Sequence, residues 1–311
     1  MMMKEEYSPE LFLPSEKEDK DAEKIHRPSI KYWADVWRRL KQNKLAMFGL
    51  IVIAIFIVMA VIGTHLSGFK YYEQNLLNAN QKPGGAHWFG TDDLGRDMFT
   101  RIWYGSRFSL LIGFSAALID FVVGVLYGGI AGMGSQRVDS IMMRVAEVIY
   151  SIPYMLVVIM MMVVFRDKGS LIVMILALGI TGWVPMAILV RGQVLQLKEN
   201  EYVTAANSLG ASKMWILRKH IIPNAMGPIL VNITLLVPSA IFAEATLSFI
   251  GLGIEAPKSS WGTMASDGLS GLAVGNAYQL FIPAIFISLT MFAFNVLGDG
   301  LRDALDPRLR K

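Results

Sequence analysis

Residues 45–64 read LAMFGLIVIAIFIVMAVIGT and carry no charged side chain. About 20 mostly apolar residues are enough to cross a bilayer as a helix. Five further runs of this kind lie at 108–136, 145–165, 169–190, 221–254 and 268–298. The last two are longer than one span, so part of each is expected in the interface or an adjoining loop. The sequence therefore predicts an all-α, polytopic membrane protein with six transmembrane helices.

The composition supports a membrane class. Of 311 residues, 54% are hydrophobic and only 17% are charged, whereas a soluble domain carries about 25% charge. The absence of cysteine excludes disulfides, thiolate metal sites and a cysteine nucleophile. The four histidines show no ligand spacing, so we expect no metal or haem site. No catalytic or cofactor-binding residue is expected in this chain.

The distribution of basic residues predicts the orientation. In a six-span arrangement with the N-terminus inside, the inner segments hold 21 of the 29 Lys and Arg residues. The positive-inside rule then places both termini in the cytoplasm. The net charge of +4 follows this topology and does not indicate nucleic-acid binding. No short apolar stretch with a cleavage site begins the chain, so the first span is expected to be an uncleaved anchor.

The chain divides into three predicted parts. Residues 1–44 form a cytoplasmic tail, charge-dense and disordered to about residue 30. Its last part, IKYWADVWRRLKQNK at 30–44, is either an amphipathic helix on the inner membrane surface or an ordinary lead-in to the first span. Residues 45–105 hold the first span and an extracytoplasmic loop, and residues 106–311 form a five-helix core.

Three acids lie within the apolar runs. Glu147 is three residues past Arg144 near the inner surface, where the two can pair, and Glu244 is expected toward the outer end of its run. Asp120 lies deepest in the membrane. An acid at that depth faces the bundle interior or water. Asp120 is therefore either part of a polar translocation path or one side of an interhelical hydrogen bond.

The loop HWFGTDDLGRDMFTRIWYG, residues 87–105, is dense in turn residues and aromatics. Its acids do not have the order of a calcium-binding EF-hand loop. Two interpretations stand: a structural turn capped by Asp, or a contact surface for an external partner. The residues concerned are Asp92, Asp93, Arg96 and Asp97.

Residues 201–229, EYVTAANSLGASKMWILRKHIIPNAMGPI, interrupt the apolar runs. Helical spacing places Tyr202, Ala205, Ala206 and Leu209 on one small-residue face. Gly210 can take the positive φ that ends a helix. Ser212 can then cap a second helix, with Met214, Leu217 and Ile221 on one side and Pro223 closing it. This pattern predicts a cytoplasmic helix–turn–helix that docks in a groove on another protein or rests on lipid headgroups.

The run YVTAANSLGAS, with the proline of HIIPN thirteen residues after its glycine, resembles the "EAA" loop of importer-type ABC transporter permeases. The likeness extends over most of the chain. It is similar to the dipeptide/oligopeptide permease subfamily, and to its second, "C"-type subunit, through FGTDDLGRDMFTRIWYGSR, EVIYSIPY, LSFIGLGIEAPKSSWGTM and GDGLRDALDPRLR.

The resemblance implies an importer-type ABC permease fold and a function. The chain would form half of the translocation path of an ATP-driven importer of dipeptides or oligopeptides in a bacterial cell membrane. It has no GxxxxGK[ST] loop, so ATP and Mg²⁺ would be bound by separate subunits. The implied partners are a homologous permease, two ATPase subunits and an extracytoplasmic peptide-binding protein.

In that family the loop, here residues 196–225, docks onto the ATPase subunit. The residues carried over are Glu201, Tyr202, Thr204, Ala205, Ala206, Leu209, Gly210 and Pro223. Thr204 stands where the family has the acidic residue that names the loop.

Two other classes stay open. A proton-coupled secondary transporter or channel would use Asp120 with Glu147 or Glu244 as a relay, and a membrane anchor would have no transport path. Within the importer class, related systems carry dipeptides, oligopeptides, nickel chelates or glutathione.

Overall fold

The structure is a computed structural model that describes residues 32–165 and 169–306. The predicted disordered part of the tail, to about residue 30, lies outside the described residues. The described part is helical, with bounds α1 Tyr32–Gln42, α2 Lys44–Ile62, α3 Met98–Met133, α4 Gln136–Ser151, α5 Tyr154–Val164, α6 Ser170–Leu197, α7 Glu201–Ser208, α8 Lys213–Ile216, α9 Ile222–Phe249, α10 Trp261–Asp267, α11 Leu269–Ala273 and α12 Tyr278–Leu305. The all-α prediction is confirmed, because these ranges contain no strand beyond a single bridge between Thr91 and Asp97.

Five of the described helices are long and apolar enough to cross a membrane: Lys44–His65, Met98–Met133, Ser170–Leu197, Lys213–Phe249 and Tyr278–Leu305. A sixth crossing forms if α4 and α5 together make one span, and these two helices are bent by 74° at the break between them.

The predicted run 145–165 is not one continuous helix. It breaks at Ile152 and Pro153, which lie between α4 and α5. Proline has no N–H to donate and disfavours helical backbone in the residue before it. Ile152 accordingly has an extended conformation, and α5 restarts after Pro153.

Two predicted boundaries also move. The second span was expected from residue 108, but α3 begins at Met98, so residues 98–105 of the predicted outer loop are helical. The first turns of α3 contain Arg101 and Arg107, so they do not form an apolar run and were not predicted as part of the span. The last run was expected from residue 268, but α11 is a separate short helix and α12 starts at Tyr278.

Small residues allow close packing between the long helices. A Cβ at Gly128 of α3 would overlap the backbone of Ala187 in α6, so only glycine permits this approach. On the other side of the molecule, α12 packs against both α2 and α9. These contacts hold the spans as one bundle.

The lead-in helix α1 packs against the end of α12. Val36 and Leu40 are buried there, whereas Trp33 and Trp37 are exposed. Asp35 forms ion pairs with Arg38 and Arg39 on the same helix. Both sequence interpretations of α1 agree with this placement, since one face is packed and the aromatic face is free to meet lipid.

The two ends of the bundle differ. At one end, residues 63–97 and 250–277 fold together against the starts of α3 and α12, and we call this part the platform. At the other end, residues 201–216 connect α6 to α9, and we call this part the hairpin. Because α9 runs from the hairpin to the platform over 28 residues, about 42 Å of helix separates them.

Candidate functional site

The hairpin has the predicted helix–turn–helix form. After α7, Gly210 takes a φ of +83°. The N–H of Gly210 donates to the carbonyl of Asn207, and that of Ala211 to the carbonyl of Ala206, which together form a Schellman C-cap. Ser212 then caps α8 by accepting from the N–H of Trp215 at 3.3 Å. The turn therefore follows from the glycine and the serine.

The predicted role of Pro223 is wrong. It does not close the second helix, because α8 passes through a π-helical turn, Leu217–Ile221, directly into α9. Residues Lys213–Phe249 are one continuous helical segment. Pro223 lies in the first turn of α9, where a missing N–H costs little.

The π-helical turn also changes which side chains share a face. Leu217 and Ile221 are buried, but Met214, expected beside them, is half exposed, as is Trp215. An open groove of about 470 Å³ lies along this side, lined by Ser212, Met214, Trp215, Arg218 and Lys219. The apolar part of this groove was not predicted. A π-helical turn contains one extra residue, so the side chains that precede it point in other directions than a continuous α-helix would give them.

Of the four residues predicted for the docking face of α7, Ala206 packs partly inward and the other three face outward. Val203 is buried, and Ala206 packs partly against the same core cluster, which also contains Ile216 and Ile221. Tyr202, Ala205 and Leu209 face outward, and the side chain of Leu209 is 89% exposed. Glu201 and Thr204 are exposed on the same helix. The hairpin thus presents a small apolar surface that nothing in the described chain covers.

A second feature is a cavity of about 570 Å³ among α3, α6, α9 and the break between α4 and α5. Asp120 lies in its wall and is only 7% exposed. Its Oδ1 has no hydrogen-bond partner among the described residues. The interhelical hydrogen bond expected as one interpretation is therefore absent for this oxygen, and the path interpretation stays a prediction.

Glu244 has the opposite surroundings. It is completely buried, and its carboxylate accepts hydrogen bonds from the hydroxyls of Ser248 at 2.7 Å, Ser260 at 2.5 Å and Ser109 at 3.3 Å. These residues belong to or flank α9, α10 and α3. Glu244 therefore joins three elements, and its hydrogen-bonding capacity is used in doing so.

Glu147 lies on the surface of α4 and pairs with Arg144 at 3.0 Å, as the sequence predicted. Neither Glu147 nor Glu244 is among the described residues that line the cavity of Asp120. The three acids of the proton-relay alternative thus have separate surroundings, and two of them are already partnered.

In the platform, most of the acids predicted to meet an external partner are used internally. Asp92 is buried and accepts from Nε of Arg96 at 2.6 Å. Asp97 is buried, caps α3 by accepting from the N–H of Thr100 at 2.8 Å, and contacts Nδ1 of His87 at 2.8 Å. These contacts agree with the interpretation as a turn capped by Asp.

Asp93 is the exposed member of the set, with a side chain 59% accessible. A partner contact stays a prediction for Asp93, whereas Asp92, Arg96 and Asp97 have no free surface to offer one.

Further contacts join the platform to the starts of α12 and α3. The hydroxyl of Tyr278 lies within hydrogen-bond distance of the carbonyl oxygens of Gln81 and Thr91, at 2.9 and 2.7 Å, and its single hydrogen is shared between them. Arg101 approaches Asp267 of α10 at 3.8 Å. Burial raises the pKa of the Asp267 carboxyl, and the nearby charges of Arg101 and Arg96 oppose this rise. These contacts could not be predicted from local sequence patterns, because they join residues more than 150 positions apart.

Comparison with known families identifies the class. Residues 124–311 match the family described as "Binding-protein-dependent transport system inner membrane component". The chain belongs to this family of importer permeases. Residues 31–83 also match the family described as "N-terminal TM domain of oligopeptide transport permease C".

Individual relatives agree with this assignment. The chain is 56% identical over 303 residues to the dipeptide transport system permease protein DppC of Bacillus subtilis (strain 168), covering 97% of this chain and 94% of the relative. It is 54% identical over 301 residues to the oligopeptide transport system permease protein OppC of the same organism, covering 97% and 98%. The importer-permease prediction is thereby confirmed over the proton-coupled alternative.

A solved structure supports the fold. The inward-facing MetNI methionine ABC transporter matches with a TM-score of 0.54 and 19% identity, over 65% of this chain and 94% of that one. At this identity the match shows the fold alone. It agrees with an importer-type permease bundle.

Proposed function

We propose that this chain is one half of the translocation path of an ATP-driven importer of short peptides in a bacterial plasma membrane. The observation that supports this proposal most strongly is the hairpin, which exposes Leu209, Ala205 and Tyr202 at one end of the helical bundle. The chain belongs to a family of transport-system permeases. Apolar side chains grouped at the end of a transport permease provide a surface that a partner protein can cover.

The proposed occupant of this surface is an ATPase subunit. The chain itself lacks a phosphate-binding loop, so ATP and Mg²⁺ would bind to two partner ATPases. Their closure would move the hairpins, and α9, continuous with α8, would carry that movement into the membrane. A homologous permease would complete the path, and an extracytoplasmic peptide-binding protein would deliver the substrate. Alternating access then follows from two states with different ATP occupancy.

Short peptides are proposed as the substrate class because the two relatives of nearly equal identity are named for dipeptides and oligopeptides. Selection among peptides is assigned to the external binding protein.

Transport in proteoliposomes tests this function. The assembled complex should take up a labelled dipeptide only with ATP inside the compartment that holds the ATPases, and an uncoupler should have no effect. The matched control carries ATPase subunits inactivated in their phosphate-binding loops. Uptake that needs a proton gradient and no ATP would overturn the proposal. Uptake of a nickel chelate or glutathione, but no peptide, would correct the substrate class.

The proposed topology has a separate test. Reporter fusions after Lys198 and Lys311 should report the cytoplasm, and a fusion after Lys82 should report the exterior. The basis is the distribution of basic residues, 21 inside and 8 outside. One reversed reporter would contradict six spans with both termini inside.

A further inference from the structure

The cavity beside Asp120 has a composition that points to a ligand. Fourteen described residues line it, and none of them is Lys, Arg or His. Most of its wall is apolar, from Ala116 on α3 to Ala240 and Ala243 on α9. Its volume of about 570 Å³ lies within the range of roughly 300–1,000 Å³ found for small-molecule sites.

The wall combines hydroxyls that both donate and accept, at Tyr150, Tyr154 and Thr181, with further hydrogen-bond acceptors. The Asp120 carboxylate lies in the wall, and its Oδ1 is buried and has no partner in the described chain. Thr181 and Pro185 both line the cavity, and proline has no N–H, so the Thr181 carbonyl receives no helical hydrogen bond from residue 185. The hydroxyl of Ser239 already donates to the carbonyl of Leu235 at 2.8 Å, which leaves its lone pairs to accept.

The position of the carboxylate depends on a glycine in the facing helix. A Cβ at Gly182 would lie 2.5 Å from Oδ2 and 2.6 Å from Oδ1 of Asp120. The carboxylate therefore occupies the space that a side chain at residue 182 would fill. Two helices, α3 and α6, together hold this acid against the cavity.

A buried carboxylate without a partner is costly, and a cationic ligand with several donors would offset that cost. A primary ammonium has three donors and one positive charge, which suits a carboxylate with a few further acceptors in the same wall. We infer that Asp120 binds the N-terminal ammonium group of the peptide in transit. This inference rests on the proposed peptide-import function.

The ammonium group is the chemically reasonable contact for a path that passes peptides of different sequence. Every unmodified peptide carries it, whereas side chains vary. The apolar wall around Asp120 can accept different side chains without specific hydrogen bonds. A single carboxylate would then hold the invariant end of the substrate.

Peptide binding to the complex of both permeases and both ATPases, in nanodiscs without the binding protein, tests this inference. The probes are Ala-Phe and its N-acetyl form, which has no ammonium group. The wild-type complex should prefer Ala-Phe by about tenfold or more, the usual scale of a charge-assisted hydrogen bond. Asp120→Asn should bind the two peptides equally. Glu147→Gln, which removes a carboxylate outside the cavity, should keep the wild-type preference.

A second variant tests whether the position of the Asp120 carboxylate matters, as well as its presence. Gly182→Ala keeps Asp120 but displaces its carboxylate, so it should also lower the preference for the free amino group. Its assembly can be verified by co-purification of all four subunits.

Four results would overturn the inference. They are equal binding of the two peptides by the wild type, an unchanged preference in Asp120→Asn, an unchanged preference in Gly182→Ala, and loss of the partner permease from the Asp120→Asn preparation. The last would show that Asp120 pairs with a basic side chain of that subunit. Wild-type uptake of dipeptide in proteoliposomes is measured in parallel, so a failure of the peptide-import proposal is recognised separately.

Discussion

The platform and the hairpin lie at opposite ends of α9 and differ in the burial and pairing of their side chains. In the platform, charged groups are buried and paired inside the chain, as Asp92 is with Arg96 and Asp97 with His87. In the hairpin, Leu209 is 89% exposed and Ala205 and Tyr202 face outward. Sequence motifs marked both ends as possible contact surfaces. Burial and pairing distinguish residues that hold the fold from residues that are free for a partner.

The same distinction separates the two buried acids. Glu244 has three hydroxyl donors, whereas Oδ1 of Asp120 has no partner among the described residues. Both are acids in apolar runs, and the sequence distinguishes them by depth in the membrane but not by their hydrogen-bond partners. An acid that is fully hydrogen-bonded inside the chain is structural, and one that faces a cavity unpaired is a candidate for binding.

If this comparison is correct, substitutions near the platform destabilise the chain most. Glu244→Ala removes the acceptor of three buried hydroxyls and leaves a void, which should cost about 2–5 kcal/mol of unfolding free energy. Thermal unfolding of the purified chain in detergent measures this loss. Glu147→Ala removes an exposed acid and is the control, with an expected change within about 0.5 kcal/mol. Equal shifts in the unfolding temperature of the two variants would contradict a structural role for the buried, hydrogen-bonded Glu244.

A smaller loss is expected at the start of α3. Asp97→Ala removes the N-cap of this 36-residue helix and the contact with His87, so the cost should be about 1–2 kcal/mol. The exposed neighbour Asp93 provides the control, since Asp93→Ala should leave the unfolding midpoint nearly unchanged. A reversed order would mean that the platform uses Asp93, not Asp97, to hold the helix.

At the hairpin, the effect on stability should be smaller and local. Gly210→Ala places a Cβ at a φ of +83°, which costs about 1–2 kcal/mol, although the space around it is open. Gly192 also has open space but an ordinary helical backbone, so Gly192→Ala should be neutral or stabilising. Hydrogen exchange should rise in residues 201–216 of the Gly210 variant only. An equal rise in exchange in both variants would contradict the claim that the positive φ of Gly210 holds the turn in place.

Much of the fold was predictable because hydrophobic runs and caps are local signals. The spans, the Gly210 turn and the Ser212 cap were all read from short stretches. The α4–α5 break was not, although Pro153 was visible, because a proline in an apolar run can either kink a helix or end it. Pro223 was misread for a related reason: the π-helical turn before it lets the helix continue.

The candidate site was less predictable, because its parts come from distant segments. The cavity of Asp120 includes Thr181, Gly182 and Ser239, and no periodicity links these residues to position 120. In the hairpin, Ala206 was assigned to the docking face but packs partly inward. An eight-residue helix has too few turns for spacing alone to define which face is covered.

The most direct test of the central claim, that the hairpin docks an ATPase, uses Leu209→Ser. Since Leu209 makes little contact within the chain, its unfolding midpoint should not change. Leu77→Ser, at a leucine 95% exposed in the platform, is the matched control. Co-purification of the ATPase subunits should fall by roughly tenfold or more for Leu209→Ser and stay at the wild-type level for Leu77→Ser. Peptide-stimulated ATP hydrolysis should fall with it in Leu209→Ser. Full ATPase recovery and normal hydrolysis with Leu209→Ser would contradict docking at this surface.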